Sequence, residues 1–380
     1  MNILALEPYY GGSHRAFLDD WAARSRHLWT LRTLPATKWK WRMRHAPYTM
    51  ARQVAGLGDA ASWDLLVASD MLNLAEFRGL APRSVRSLPA LLYFHENQIT
   101  YPVEYDQERD HHFGFSNMNA ALAADRVWFN SAFHLESFLA GLQALLRRMP
   151  DHRCPGAVER IREKSRIRPP GIDSFPARGA RRQPGPLRIL WAARWEREKR
   201  PGVFFEALER LAARNVDFRI AVLGGGNASP IDPALDRGRG RFADRVLRWG
   251  YLERTEYRAA LLEADVVVST AEHDFFGIGV AEAIAAGAYP MLPDRLAYPE
   301  ILQDAGEEAR GRFLYPGGAG DLAGALELLA RRLDAGNLWE GDPDGGRRAV
   351  MRFAWSRLAP EYDRELSEMI AEGARPDAFP

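Results

Sequence analysis

Short apolar runs alternate with segments of helical period along the chain, and the alternation occurs in two successive copies. In the first copy the strand-like runs are 3–6, 64–69, 90–94 and 127–130, with helical stretches at 14–24, 116–124 and 132–147. In the second they are 188–192, 218–223, 246–249, 266–270 and 289–292, with helices at 201–214, 256–263, 280–286 and 321–332. Such alternation predicts parallel sheets with helices on both faces. Between the copies, residues 174–186 are rich in Pro, Gly and Arg and lack apolar period, which marks a linker. A chain of 380 residues also exceeds what one core usually supports. The expectation is an α/β protein of two doubly wound Rossmann-like domains facing a central cleft. An N-terminal domain covers 1–173 and a C-terminal domain 187–350, and a final helix within 351–380 can cross back to the first. Ligands of such sheets bind beyond the carboxyl ends of the strands.

Composition works mainly by exclusion. Net charge is +1, so global charge points to neither nucleic acid nor membrane and only local patches can. Cys154 is the single cysteine, which excludes an intramolecular disulfide and a cysteine-rich zinc site and suits a reducing compartment. The opening Met-Asn-Ile-Leu-Ala-Leu reads as a first strand rather than a signal peptide. No apolar run is long enough to cross a bilayer. A soluble, cytoplasmic protein without a membrane partner is expected; its oligomeric state is not encoded in any of these features.

The most informative loop follows the run 266–270. It reads Asp274-Phe275-Phe276-Gly277-Ile278-Gly279-Val280-Ala281-Glu282, a glycine-containing turn that enters a helix. Glycines let backbone N–H groups approach a ligand, and a helix start favours an anion, so a diphosphate would sit at Gly277 and Ile278. Glu282 lies about one turn into the helix, at roughly 1.5 Å of rise per residue, where a carboxylate can accept from two neighbouring ribose hydroxyls. Asp274 lies on the other side of the phosphates, toward a donor sugar. A surface loop leading into an ordinary amphipathic helix has the same letters, and on residues alone the two readings stand level.

Arg194 and Lys199 follow the run 188–192, where a guanidinium and an ammonium can neutralise a diphosphate leaving group. A solvated run of mixed charge is the alternative there. Gly224-Gly225-Gly226 and Trp249-Gly250-Tyr251-Leu252 end two further runs, where glycine lets a base or ribose pack on the backbone. In the first domain, Tyr9-Tyr10-Gly11-Gly12-Ser13-His14 is no GxGxxG fingerprint, so a dehydrogenase gains little support. His95, in Phe94-His95-Glu96-Asn97, can hydrogen-bond a sugar, shape an attacking hydroxyl, or cap a strand end. Asp110-His111-His112 has metal-ligand residue types, but adjacent residues rarely chelate one ion, so an acceptor-side or structural role is expected. The stretch from Trp39 to His45 mixes cations with aromatics. It can hold phosphates while stacking on bases, or be an amphipathic segment with snorkelling arginines.

Taken together these segments resemble a known group of enzymes. Asp274 to Glu282 is similar to the acidic-x7-acidic motif of retaining GT-B glycosyltransferases, which usually carry Glu at both ends; Asp274 shortens the reach by one methylene. Glu7-Pro8-Tyr9-Tyr10-Gly11-Gly12-Ser13-His14, residues 38–44, Phe94-His95-Glu96-Asn97-Gln98, His112-Phe113-Gly114-Phe115-Ser116-Asn117 and Asp274-Phe275-Phe276-Gly277 look like the tRNA-queuosine alpha-mannosyltransferase family, over most of the chain. The resemblance implies a GT-B fold, GDP-mannose as donor, no metal or other cofactor, and a cyclopentene hydroxyl of queuosine in tRNA as acceptor. It implies that His95 and Asp274 lie at the reacting sugar, and that Gly12, Arg194, Lys199, Gly250, Tyr251, Gly277, Ile278 and Glu282 hold the donor. His14, Lys38, Lys40, Trp41, Arg42, Arg44 and Asn97 would face the acceptor tRNA, and Pro170-Gly171-Ile172-Asp173 would turn into the linker. The leaving phosphate itself would take the acceptor's proton, which fits a first domain expected to lack a well-placed carboxylate. Three rivals share parts of this pattern: a glycosyltransferase with a lipid or polysaccharide acceptor, a nucleotide-sugar epimerase, and a tRNA-binding module with a decayed donor site.

Overall fold

The structure is a computed structural model and describes residues 1–58, 62–103, 109–176, 185–225 and 232–372. Residues 177–184 of the linker, Gly226 and the last residues of the chain lie outside the described set. The chain divides into two compact units, Met1–Gly171 with Trp355–Pro380, and Ile172–Ala354.

In the first unit, strands β1 (Asn2–Tyr10), β2 (Leu28–Pro35), β3 (Leu65–Ser69), β4 (Ala90–Phe94), β5 (Arg126–Phe129) and β6 (Ser165–Ile167) form one parallel sheet in the order β2-β1-β3-β4-β5-β6. Every residue of β3 and β4 is buried, as a parallel sheet covered on both faces requires. The strand order reverses between β1 and β3, so the chain leaves their carboxyl ends in diverging directions and opens a crevice there.

Several elements of this unit escape the sequence reading, short β6 and helix Leu74–Leu80 among them, and two are large enough to need a reason. The edge strand β2 mixes apolar and polar residues without a regular period and is mostly half-buried, so it has no continuous apolar run. Helix Trp39–Ala55 hides behind its cations and an internal Pro47, yet it buries Met43, Ala46, Pro47, Met50, Ala51 and Val54 at helical spacing. Asp110 is the N-cap of helix His111–Ala123, its side chain accepting from His112 N, which explains the acidic-His-His run without a metal.

The final helix, Trp355–Glu372, packs on this sheet through buried carboxylates. Asp363 accepts from Trp21 Nε1 (3.3 Å), Ser25 Oγ (2.8 Å) and Arg26 N (2.7 Å). Glu365 accepts from Trp128 Nε1 (3.0 Å) and Arg168 Nε (2.6 Å). Gly171 meets the helix so closely that a Cβ there would lie 2.1 Å from the Trp355 ring.

In the second unit β7 (Leu187–Ala192), β8 (Phe218–Leu223), β9 (Val246–Gly250), β10 (Val266–Val268), β11 (Tyr289–Pro293) and β12 (Leu314–Tyr315) form a second parallel sheet, ordered β12-β11-β10-β7-β8-β9. Its reversal lies between β7 and β10. Among the described residues no helix is long and apolar enough to cross a membrane.

Asp363→Ala leaves three donors without an acceptor. We expect a loss of about 3 kcal/mol of stability, at about 1 kcal/mol for each unsatisfied donor, the low end for partly exposed groups, read by urea unfolding with tryptophan fluorescence. A change within experimental error would show that the final helix is not anchored through this carboxylate.

Candidate active site

In the second unit the loops after β7 and β10 are laced together at the switch point. Trp191 Nε1 donates to Thr270 Oγ1 (3.1 Å), Thr270 Oγ1 donates to Lys199 O (2.8 Å), and Glu272 N donates to Glu198 O (2.8 Å). This lacing buries Lys199 to 5 % exposure and aims its ammonium at His273 O (2.8 Å) and Asp274 Oδ2 (3.1 Å). Asp274 Oδ2 also accepts from Tyr298 OH (3.4 Å), whose oxygen is bonded to Ser269 Oγ (2.7 Å). Burial pushes the Asp274 carboxyl up, but the charge and hydrogen bond of Lys199, with Arg194 behind it, outweigh burial and hold it below the usual carboxylate range. Asp274 is therefore ionised. Next to it, burial and then Lys199 push His273 down to about 4, so it is neutral.

Gly277 has φ of +88° and opens helix Ile278–Ala285, whose start has no side-chain cap. A Cβ at Gly277 would stand 3.0 Å from the Tyr298 ring, so the residue is glycine for both conformation and space. An uncapped helix start with a glycine turn is an anion site in waiting. Glu282 is half-buried on this helix, and Tyr257 OH donates to its Oε2 (2.9 Å), which orients the carboxylate. Arg194 is exposed and paired with Glu196 (3.3 Å). Gly250 ends β9 with φ of +99°, and Tyr251 beside it is 75 % exposed. The structure thus brings Lys199, Asp274, Gly277, Ile278 and Glu282 to one end of one sheet. Tyr257 and Tyr298, which orient the two carboxylates, carry no sequence signal, because each lies in a helix without a motif.

In the first unit the ends of β1, β3 and β4 meet around Glu7. Glu7 Oε1 accepts from Tyr9 N (2.7 Å) and Ser69 Oγ (3.0 Å), and Oε2 is paired with His14 Nδ1 (3.3 Å). The His14 and His95 rings are stacked at 4.0 Å, with His95 Nε2 4.0 Å from Glu7 Oε2. The backbone of His95 is fixed by Asp70 Oδ1, which accepts from its N–H (2.9 Å). Burial pushes His14 down, but Glu7 outweighs it and raises the imidazole from 6.5 to about 9. Burial, then the charge of His14 and of His134, holds His95 well below the ordinary histidine range. A protonated imidazole therefore stacks on a neutral one.

Two placements differ from expectation, and Glu7, which the sequence shows only as part of a motif, is a carboxylate buried in the first unit and held by Tyr9 N, Ser69 Oγ and His14 Nδ1. His14 is buried and turned to Glu7 and His95 rather than toward an acceptor. Asn97 is fully buried, and its Oδ1 accepts from Ile99 N (3.0 Å) and Thr100 N (2.9 Å), so a local turn consumes it. Gly12 begins helix Gly12–Arg24 with φ of +52°. Lys38, at φ of +50°, immediately precedes helix Trp39–Ala55, on which Lys40, Trp41 and Arg44 are exposed. Arg42 is half-buried and donates to Thr37 Oγ1 (3.1 Å). Among the described residues Glu7, His14 and His95 bring ligating atoms within 4.8 Å of one another. Within the trio the Glu7–His14 ion pair is the shortest contact, at 3.3 Å.

A family model described as the tRNA-queuosine alpha-mannosyltransferase N-terminal region matches residues 2–172, and one for group 1 glycosyl transferases matches residues 186–332. The tRNA-queuosine alpha-mannosyltransferase of Drosophila melanogaster is 35 % identical over 311 residues, covering 79 % of this chain and 81 % of its own. The chain belongs to the tRNA-queuosine alpha-mannosyltransferase family. This family member is thus a glycosyltransferase, which sets aside the epimerase and the decayed module. It is also similar to a phosphatidyl-myo-inositol mannosyltransferase of Mycobacterium tuberculosis, 29 % identical over 210 residues, 54 % of this chain and 51 % of the relative. Among solved structures, sucrose-phosphate synthase from Thermosynechococcus elongatus superposes with a TM-score of 0.70 at 19 % identity, over 98 % of this chain and 100 % of the other. HepE of Anabaena in complex with UDP-glucose gives 0.68 at 16 % identity, over 97 % and 100 %. These likenesses establish the GT-B fold.

In this family member the Glu7–His14 pair links stability to pH. Because the folded imidazole is raised from 6.5 to about 9, the pair's contribution is complete below about pH 6.5 and is lost as pH rises through about 9. Glu7→Gln should therefore lower stability most at and below neutral pH, by about 3–5 kcal/mol for a broken buried pair. Nitrogen NMR of the rings in the unaltered protein should show His14 protonated and His95 neutral at pH 7; a neutral His14 would overturn this account.

Proposed function

We propose that the chain transfers mannose from GDP-mannose to queuosine in tRNA, with retention of the anomeric configuration. The observation that carries the donor half is the group Lys199, Asp274, Gly277 and Glu282 at one switch point. The acceptor half rests on similarity to the Drosophila enzyme and its name.

In this reading the diphosphate lies at the uncapped start of helix Ile278–Ala285, neutralised by Arg194 and by Lys199, which keeps its contact with Asp274. Gly250 and Tyr251 flank the base. Glu282, with one oxygen held by Tyr257, accepts from the ribose hydroxyls. Asp274, kept ionised by Lys199, accepts from mannose hydroxyls. Charge grows on the leaving phosphate as the glycosidic bond breaks, and fixed cations favour that charge more than the ground state. The acceptor hydroxyl attacks from the face the phosphate leaves and passes its proton to a phosphate oxygen. These cations let the reaction proceed without a metal. His95, neutral and stacked on His14, has an imidazole suited to a sugar hydroxyl. Lys38, Lys40, Trp41, Arg42 and Arg44 meet the acceptor tRNA, and a tRNA acceptor agrees with a cytoplasmic enzyme.

Incubation with a panel of nucleotide-sugars and with queuosine-containing or queuosine-free tRNA, followed by nucleoside mass analysis, tests both halves. The expected product is alpha-mannosyl-queuosine, formed from GDP-mannose only when queuosine is present. Transfer to a lipid or polysaccharide acceptor instead would replace the acceptor half, and a beta-linked product would overturn retention. Glu282→Ala should weaken GDP binding about 10- to 100-fold, the worth of charged hydrogen bonds, while tRNA binding survives. Unchanged GDP affinity would remove Glu282 from the site.

A further inference from the structure

Helix Trp39–Ala55 carries Lys40, Arg42, Arg44, His45 and Arg52 and no acidic residue, in a chain whose net charge is only +1. Its apolar residues are turned into the core of the first unit: Met43 packs with Met71 and Phe113, and Ala46, Met50 and Val54 lie in the main cluster. Trp39 follows them, with its ring 5.1 Å from that of Phe113. Two large aromatics point the other way. Trp41 is 65 % exposed and Tyr48 57 % exposed, and seven residues apart they share one face. Their separation along the axis is about 10 Å at 1.5 Å of rise per residue. Arg44, between them, lies 4.8 Å over the Phe113 ring, and Arg52 lies 5.8 Å from the centre of the Tyr48 ring. Beside the helix runs a groove of about 380 Å³ lined by Leu31, Arg32, Thr33 and Gln53, in which the buried Arg32 Nε has no hydrogen-bond partner.

We propose that this outward face is a docking surface for a single-stranded RNA loop, with unpaired bases stacking on Trp41 and Tyr48 and phosphates held by Arg44 and Arg52. The inference rests on the tRNA reading above and deepens it, since Tyr48 and Arg52 lie beyond the motif the sequence displays. The partner follows from the chemistry. A cationic face without acids selects a polyanion. Planar rings flanked by guanidinium groups suit bases that are free to stack, which a duplex does not offer. A membrane surface would need a broader apolar face, and here the aliphatic residues are buried. A second copy of the chain would set this cationic face against itself.

Fluorescence anisotropy of the full chain with a labelled RNA stem-loop, and with the corresponding uninterrupted duplex, across a salt series, tests the proposal. Trp41→Ala and Tyr48→Ala should each weaken stem-loop binding about 5- to 100-fold, leaving duplex binding and the salt slope unchanged. Tyr48→Phe should bind as the unaltered protein does, since the ring remains. Arg44→Ala and Arg52→Ala should each reduce the salt slope by about 0.7, the value for one phosphate contact on a single strand. Unchanged stem-loop binding by both alanine variants, or equal losses on stem-loop and duplex, would overturn it. So would Trp41-dependent binding to phosphatidylserine vesicles, or a Trp41-dependent dimer. An unaltered protein that binds neither RNA would sink the tRNA reading as well. One that mannosylates queuosine tRNA while both alanine variants bind the stem-loop normally would sink the stacking surface alone.

Discussion

A buried charge must find a partner or give up its proton, and both candidate sites are organised around that constraint. In the second unit the ammonium of Lys199 is buried where two loops lace, and Asp274 meets it. In the first unit the carboxylate of Glu7 is buried where three strands end, and His14 meets it. Asp363 of the final helix is the structural case: its charge is met by a ring N–H, a hydroxyl and a backbone N–H, and it fixes that helix to the sheet.

The two sites use their charge differently. At Asp274 the pairing keeps an acceptor of hydrogen bonds ionised and holds a cation in reserve beside an uncapped helix start. At Glu7 the pairing keeps His14 protonated, and the stacked His95 is neutral as a consequence. A neutral imidazole can donate with one nitrogen and accept with the other, which a sugar hydroxyl can use in either direction. The shorter Asp at position 274 has its Oδ2 held by both Lys199 and Tyr298, and Tyr298 OH is fixed in turn by Ser269 Oγ, so its position is set by packing rather than by its own length.

Much of the fold was legible. Buried parallel strands are continuous apolar runs, and those at 90–94 and 218–223 have the same bounds in the structure. The edge strand β2 and helix Trp39–Ala55 were not legible, because an edge strand is only half-buried and because Pro47 and a run of cations mask a periodic apolar face. The site was legible where a loop carries its own chemistry, as Gly277 and Glu282 do. It was less legible where burial sets what a side chain does: Asn97 is spent on a local turn with Ile99 and Thr100, and His14 faces inward to Glu7 and to His95 across the sheet.

The sequence by itself determined two parallel α/β units, a glycine turn into a helix between Asp274 and Glu282, and a family. It could do so because hydrophobic period, glycine turns and motif spacing are local properties of a chain. The tertiary structure alone decided which charges are paired, that Tyr257 and Tyr298 orient the two carboxylates, that Glu7 governs the histidines, and which face of a cationic helix looks outward. Those are decided by packing, since electrostatic partners and exposure depend on residues that are distant in the chain and adjacent only once the sheets have formed.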